Sequence, residues 1–227
     1  EWRKKSWVLM GQKDNPSDIV FTPKKSYIRS SEIPNPMGEL VTSAILSELN
    51  DTITDDKVDA YFTSMGLVRT SFHKNTPYTR AEVFEATSIG FDSDKRPGVD
   101  VVSSYLTPKE VKLIINFMEV YRFISTSFSP AISPSLSFKI RKWGIPFINR
   151  IHDIKLNGKD LSEYNRPIKI ATNKFVVMNI ETVKKITRGF VDLVPKTKTG
   201  EPVKNYPIHP KEYLLMIRHF EKHPDLY

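Results

Sequence analysis

Cysteine is absent from the 227 residues. That excludes a disulfide framework, a thiolate metal site and a thiol nucleophile, and it suits an intracellular setting, cytoplasmic or nuclear, better than a secreted one. Glycine is nearly as scarce: nine residues are scattered singly, with neither G-x-G nor G-K-[ST] among them. Loops that cradle phosphate need clustered glycine so that bare backbone can approach the anion, so P-loop and Rossmann nucleotide sites are not expected. No G-x-S-x-G turn exposes a serine nucleophile. No uninterrupted apolar run approaches the ~20 residues that span a bilayer, so no transmembrane segment is expected.

Acid is lacking in one half only. Residues 1–113 carry 15 Lys and Arg against 16 Asp and Glu, whereas residues 114–227 carry 19 against 10. The whole formal charge of +8 thus comes from the second half. Such asymmetry suggests that this half meets something anionic, whether nucleic acid, an acidic protein or a phospholipid surface. With 39% apolar residues the chain can bury a real core, as one large domain or two small ones.

What is present reads as an α+β protein. "SWVLM" and "DIVFT" look extended, and "MGELVTSAILSELN" places Leu40, Ile45, Leu46 and Leu49 on one helix face. "TDDKVDAYFTSMG" reads as a second helix, capped by Thr54 and stopped at Gly66, followed by a strand in "LVRTSF" and a third helix in "TRAEVFEATSIG". Thr107-Pro108-Lys109-Glu110 is a capping box with proline in the first turn, and it opens a helix over about 107–125. Lys109, Lys112, Asn116, Glu119 and Arg122 form a narrow polar stripe there, and the wide apolar remainder predicts a buried central helix.

"STSFSPAISPSLS" reads as a loop or linker, which suggests a mainly helical part over 1–128 and a basic, mixed part over 137–227; one compact domain is the alternative. In the second part Asn157-Gly158 signals a β-hairpin, and a second hairpin is expected around Thr172-Asn173-Lys174. A helix capped by Asn179 and a closing helix with Pro210 in an early position complete the reading.

Candidate chemistry is thin. His219 and His223 lie four apart on the closing helix, where two imidazoles could reach one metal, but Glu221 is at the wrong offset for H-E-x-x-H; no metal site or cofactor is assigned. The acids Glu82, Glu85, Asp92, Asp94 and Asp100 offer material for a metal-dependent phosphodiesterase or nuclease, with Glu85, Asp100 and Lys112 around a divalent ion. The most suggestive stretch is "FKIRKWGIPFINR", in which Lys139, Arg141, Lys142 and Arg150 alternate with Phe138, Trp143 and Phe147. Cations can track phosphates while rings stack on unpaired bases. Lys184, Lys185 and Arg188 on a helix, with Lys196, Lys198 and Lys204 after it, extend the basic set.

The leading expectation is therefore a non-enzymatic protein that binds single-stranded nucleic acid or serves in assembly. Lys139, Arg141, Lys142, Arg150, Lys184, Lys185 and Arg188 would contact RNA or DNA phosphates, Trp143 would stack, and affinity would fall steeply with salt. The alternatives are a self-associating, matrix-like scaffold, homo-oligomeric and bound to an anionic membrane surface or acidic partners, and the metal-dependent phosphodiesterase above.

Overall fold

Three short strands buried on both faces organise this fold. The computed structural model describes residues 7–8, 13–30, 32–33, 35–87, 96–121, 129–141, 143, 145, 150–189 and 192–227. In chain order the elements are β1 (Ile19–Phe21), α1 (Pro36–Thr52), β2 (Ala60–Ser64), β3 (Tyr78–Thr79), α2 (Arg80–Thr87), β4 (Asp100–Leu106), α3 (Pro108–Tyr121) and β5 (Pro130–Ile132). They continue with β6 (Leu136–Ile140), β7 (Ile151–Leu156), β8 (Lys159–Asp160), β9 (Ile168–Asn173), α4 (Lys174–Met178), α5 (Ile180–Ile186), β10 (Ile208–Lys211) and α6 (Glu212–Lys222). The protein is α+β, with mixed sheets and six helices among the described residues.

The main sheet has the order β10-β4-β9-β2-β5. β9 is antiparallel to β4, with Val101 opposite Asn173 and Leu106 opposite Ile168, and parallel to β2, with Ala60 beside Ile170. Alternation then sends side chains to two cores. Tyr61, Val101 and Ala171 join one cluster with Leu40, Ile45 and Leu49 of α1 and Leu215, Met216 and Phe220 of α6. Ala60, Phe62, Leu106, Ile168 and Ile170 join the other, with Val111 and Ile115 of α3 and Leu136, Ile151 and Leu156 of the sheet β6-β7-β8.

Local signals explain most helix starts. Asn35 caps α1, its Oδ1 accepting from Gly38 N at 2.9 Å, with Pro36 in the first turn. At α3 the expected capping box forms: Glu110 accepts from Thr107 N at 2.8 Å and Glu110 N donates to the Thr107 hydroxyl at 3.3 Å. Over its described residues the central helix is largely buried, and Asn116 and Glu119 of its polar stripe are buried too; Arg122 lies outside the described residues. Arg150 reaches Glu119 at 2.7 Å.

Several expectations fail. The second helix expected over 54–66 is β2 followed by a turn of 3-10 helix at Met65–Leu67, because "AYFTS" is β-rich and covered on both faces. Trp7 and Val8 are helical, not extended, while "LVRTSF" forms only an isolated bridge, Tyr27 with Phe72. The serine and proline-rich stretch contains β5 and the start of β6. The second hairpin does not exist: β9 runs through Thr172 and passes straight into α4, with Asn173 as cap. Pro210 lies in β10, just before the closing helix. β4 gave no signal of its own. Among the described residues no helix is long and apolar enough to cross a membrane.

Gly98, at φ +77, marks the entry to β4, where its carbonyl accepts from Lys211 Nζ at 2.9 Å and an added Cβ would meet the Tyr213 ring at 2.9 Å. Gly98→Ala combines left-handed strain with overpacking and is expected to lower unfolding free energy by about 2–4 kcal/mol. Urea unfolding of the variant beside the wild type checks this.

Candidate functional site

A cavity of about 420 Å³ opens on the α3 side of the main sheet. Its floor is β2, β4 and β9, through Phe62, Ser104, Leu106, Ile170 and Thr172. One wall is α3, through Ile114, Phe117 and Met118, which repeat at helical spacing. The opposite wall is α4 and α5, through Phe175, Val176, Asn179, Ile180 and Val183, with Leu193 and Pro195 closing the rim. The lining is overwhelmingly apolar with three phenylalanines, and Phe175 is 46% exposed at the mouth. One polar group is conspicuous: Thr172 is buried, and its hydroxyl has no hydrogen-bond partner among the described residues. An apolar cleft of this size with a few polar groups is the usual form of a small-molecule site.

Behind the floor, on the other face of the sheet, lies a buried polar cluster. Glu212 begins α6, and its carboxylate takes a very short hydrogen bond from the Tyr61 hydroxyl and a second from Asn173 Nδ2 at 2.8 Å. Burial pushes the Glu212 carboxyl up to about 7, against the hydrogen bonds that favour its charged form. Asn173 completes its set by accepting from Phe175 N at 2.8 Å through Oδ1.

The residues singled out from sequence are placed on separate elements. Lys139 on β6 is exposed and pairs with Asp153 at 2.9 Å. Arg141 lines an open recess with Lys109 and Lys112, and Trp143 beyond it is 85% exposed. Arg150 is engaged by Glu119, and Lys184 by Asp192 at 3.0 Å. Lys185 is exposed, and Arg188 follows α5 at φ 52. Lys142 and Phe147 lie outside the described residues, as do Asp92 and Asp94. Two loop lysines are paired with acids: Lys196 with Glu110, and Lys198 with Asp56 at 3.1 Å. Burial raises the Asp56 carboxyl, but hydrogen bonds from Tyr105, Lys198 and Lys169 outweigh it and hold it down at about 2.

The acids and histidines do not converge. Glu82 accepts from Thr79 at the start of α2, Glu85 is exposed, and Asp100 lies 3.9 Å from Lys211. His219 is a core group whose Nε2 meets the Tyr227 hydroxyl at 2.7 Å, and burial, then the nearby His223, lowers it to about 4. Among the described residues no group of three His, Asp or Glu is placed to hold a metal ion. Sequence reasoning misses the cavity because its residues come from seven elements and a loop, and Thr172 and Asn173 read as a turn. The spacing of Ile114, Phe117 and Met118 was visible but reads equally as core.

No family model and no curated protein matches the chain. Solved structures match its fold. A 5'-nucleotidase precursor from Thermus thermophilus superposes with a TM-score of 0.65 at 14% identity, over 98% of this chain and 39% of its own length. For the NAD nucleotidase of Haemophilus influenzae the TM-score is 0.64 at 15% identity, over 92% of this chain and 36% of that one. A putative 5'-nucleotidase from Staphylococcus aureus gives 0.62 at 13% identity, over 93% and 39%. The chain thus spans under two fifths of the length of these proteins, and its fold resembles the C-terminal domain of 5'-nucleotidases. These neighbours overturn the expectation of a non-enzymatic nucleic-acid-binding, RNA-binding or scaffold protein, since they are nucleotidases. The phosphoesterase alternative agrees with them better, although the acid set expected for it, Glu85 and Asp100 with Lys112, is not brought together around a metal site among the described residues.

Glu212 makes the pH dependence of stability specific. Its carboxyl is raised from 4.5 to about 7 by folding, so the folded state holds this proton more tightly than the unfolded chain. The penalty is absent below pH 4.5 and complete above about 7, so stability from this group falls as pH rises through that window, by about 3 kcal/mol. His219, lowered from 6.5 to about 4, acts oppositely: its contribution is lost as pH falls through that range. Glu212→Gln removes the first effect and leaves the second. Urea unfolding should show the variant gaining about 3 kcal/mol on the wild type between pH 4.5 and about 7.5; a flat difference would mean that the carboxyl is not raised.

Proposed function

We propose that this chain is the nucleotide-recognising part of a phosphoesterase, and that the cavity beside β9 takes the base and ribose of a nucleotide. The observation that carries the reading is the lining itself: Phe62, Phe117 and Phe175 around an apolar cleft. A nucleobase is a flat, largely apolar ring with hydrogen-bonding edges. It gains by leaving water for aromatic walls. The volume, about 420 Å³, falls in the range of pockets that enclose ligands of this size. The likeness in fold to 5'-nucleotidases and to an NAD nucleotidase supports a nucleotide over other flat ligands. What the cavity carries is recognition, and the bond-breaking step is not assigned to its residues.

Titration calorimetry with adenosine, AMP and ribose 5-phosphate tests the proposal. Adenosine and AMP should bind and ribose 5-phosphate should not, because the base supplies the contacts. Phe175→Ala should weaken adenosine by about tenfold or more, the size expected for losing one stacking ring. Absence of binding by either base-containing ligand at millimolar concentration would overturn the reading. Thr172→Val, nearly the same in shape, should leave the fold at least as stable, since it removes an unpaired buried hydroxyl, and should leave adenosine affinity within about twofold.

A further inference from the structure

Asn173 sits where the two layers of the fold meet. Its neighbours in register place it on the face of the sheet opposite the cavity: Val101 is directly across, and Tyr61 lies beside Ala171, two residues back along β9. Thr172, one residue earlier, points to the cavity side. A primary amide has two unlike ends, and here each is committed. Nδ2 donates to Glu212 Oε2 at 2.8 Å, and Oδ1 accepts from Phe175 N at 2.8 Å. The second bond caps α4, whose Phe175 and Val176 form part of the cavity wall.

The orientation of that amide is not self-evident. Turned over, it would present Nδ2 to the Phe175 N–H, donor against donor, and the first turn of α4 would lose its partner. A carboxyl group excludes the turned state, because Oε2 can only accept from the amide while the Tyr61 hydroxyl occupies Oε1. Protonation does not release the lock, since the proton can reside on Oε1 and leave Oε2 an acceptor. Glu212 reaches Asn173 by crossing over β4 from the start of α6, a long span for a merely local cap.

We propose that Glu212 is a positioning residue for the cavity: by accepting from Asn173 Nδ2 it aims Oδ1 at the Phe175 N–H and so holds Phe175 and Val176 on the cavity wall. This rests on the reading of the cavity as a ligand site only for its consequence in binding; the structural coupling stands apart from it. The start of α6, packed in the helical layer, thus sets a wall on the far side of the sheet.

Amide hydrogen exchange at Phe175 reads the coupling directly, because this N–H belongs to a first turn, where the Asn173 cap takes the place of an intrahelical acceptor. Glu212→Met keeps the length of the side chain but offers Asn173 no acceptor. It should lower protection at Phe175 by about fivefold, the size expected for losing a side-chain cap, with α1 amides changed far less; Glu212→Gln, which can turn its own oxygen to Asn173, should restore it. In an Asn173→Ala background the cap is already lost, and Glu212→Met should add nothing at Phe175. Adenosine affinity should follow the same order. Protection at Phe175 kept within about twofold in Glu212→Met, or a loss spread equally over α1, would overturn the proposal. Should Glu212→Met fail to fold, the wild type decides: nuclear Overhauser contacts should place the Asn173 side-chain NH₂ against Glu212 and away from the Phe175 N–H, and an NH₂ found against the Phe175 N–H refutes the coupling. Should adenosine not bind at all, the reading of the cavity fails while the exchange data still judge Glu212.

Discussion

The structure depends on one constraint, that β9 must be paired along both edges and buried on both faces at once. Ile168 and Ile170 face α3, while Ala171 and Asn173 face the helical layer. β4 and β2 satisfy its backbone on either side. A strand in that position cannot tolerate a polar residue without a partner. Of its three polar residues Lys169 is paired with Asp56, and Thr172 and Asn173 sit at the end where the strand gives way to α4. The Thr172 hydroxyl is buried without a partner among the described residues, and the Asn173 amide is locked by Glu212.

That arrangement explains why an apolar hollow survives in a well-packed protein. α3 lies on the sheet through Val111 and Ile115, and α4 and α5 return across the same face, yet two short helices of five and seven residues cannot interdigitate fully with α3. The gap they leave is framed by rigid elements on three sides. A ligand that filled it would find walls already in place and would lose little freedom in ordering them.

The sequence disclosed elements that carry their own local signals. The capping box at Thr107, the Asn157-Gly158 turn and the one-sided apolar pattern of α1 all correspond to what forms. It concealed elements defined by partners far along the chain. "DVVSSYL" and "AYFTS" are buried on both faces, so they lack the alternation that marks a half-exposed strand, and the second passed for helix because acids precede it. The hairpin expected at Thr172-Asn173-Lys174 does not form: asparagine there caps a helix, a role that becomes visible only with Glu212 beside it. The basic residues were read as one surface because they are close in sequence. In the fold Lys139, Arg150, Lys184, Lys196 and Lys198 each have an acidic neighbour, supplied from elements such as α3 and the loops around the sheet.

The parallel pairing of β2 with β9 has a consequence for how the protein is made. Ala60 and Ile170 are neighbours in space but about 110 residues apart in sequence, and both β4 and β5 take their places against these two strands. Until β9 has left the ribosome, β2 and β4 have no common partner, and closing so long a loop is the step whose entropy must be met before the contacts reward it. Nascent chains ending before β9 would therefore hold exposed, β-prone apolar segments without a template. Such a topology belongs to slow folders that need protection from association while the centre of the sheet is still being synthesised.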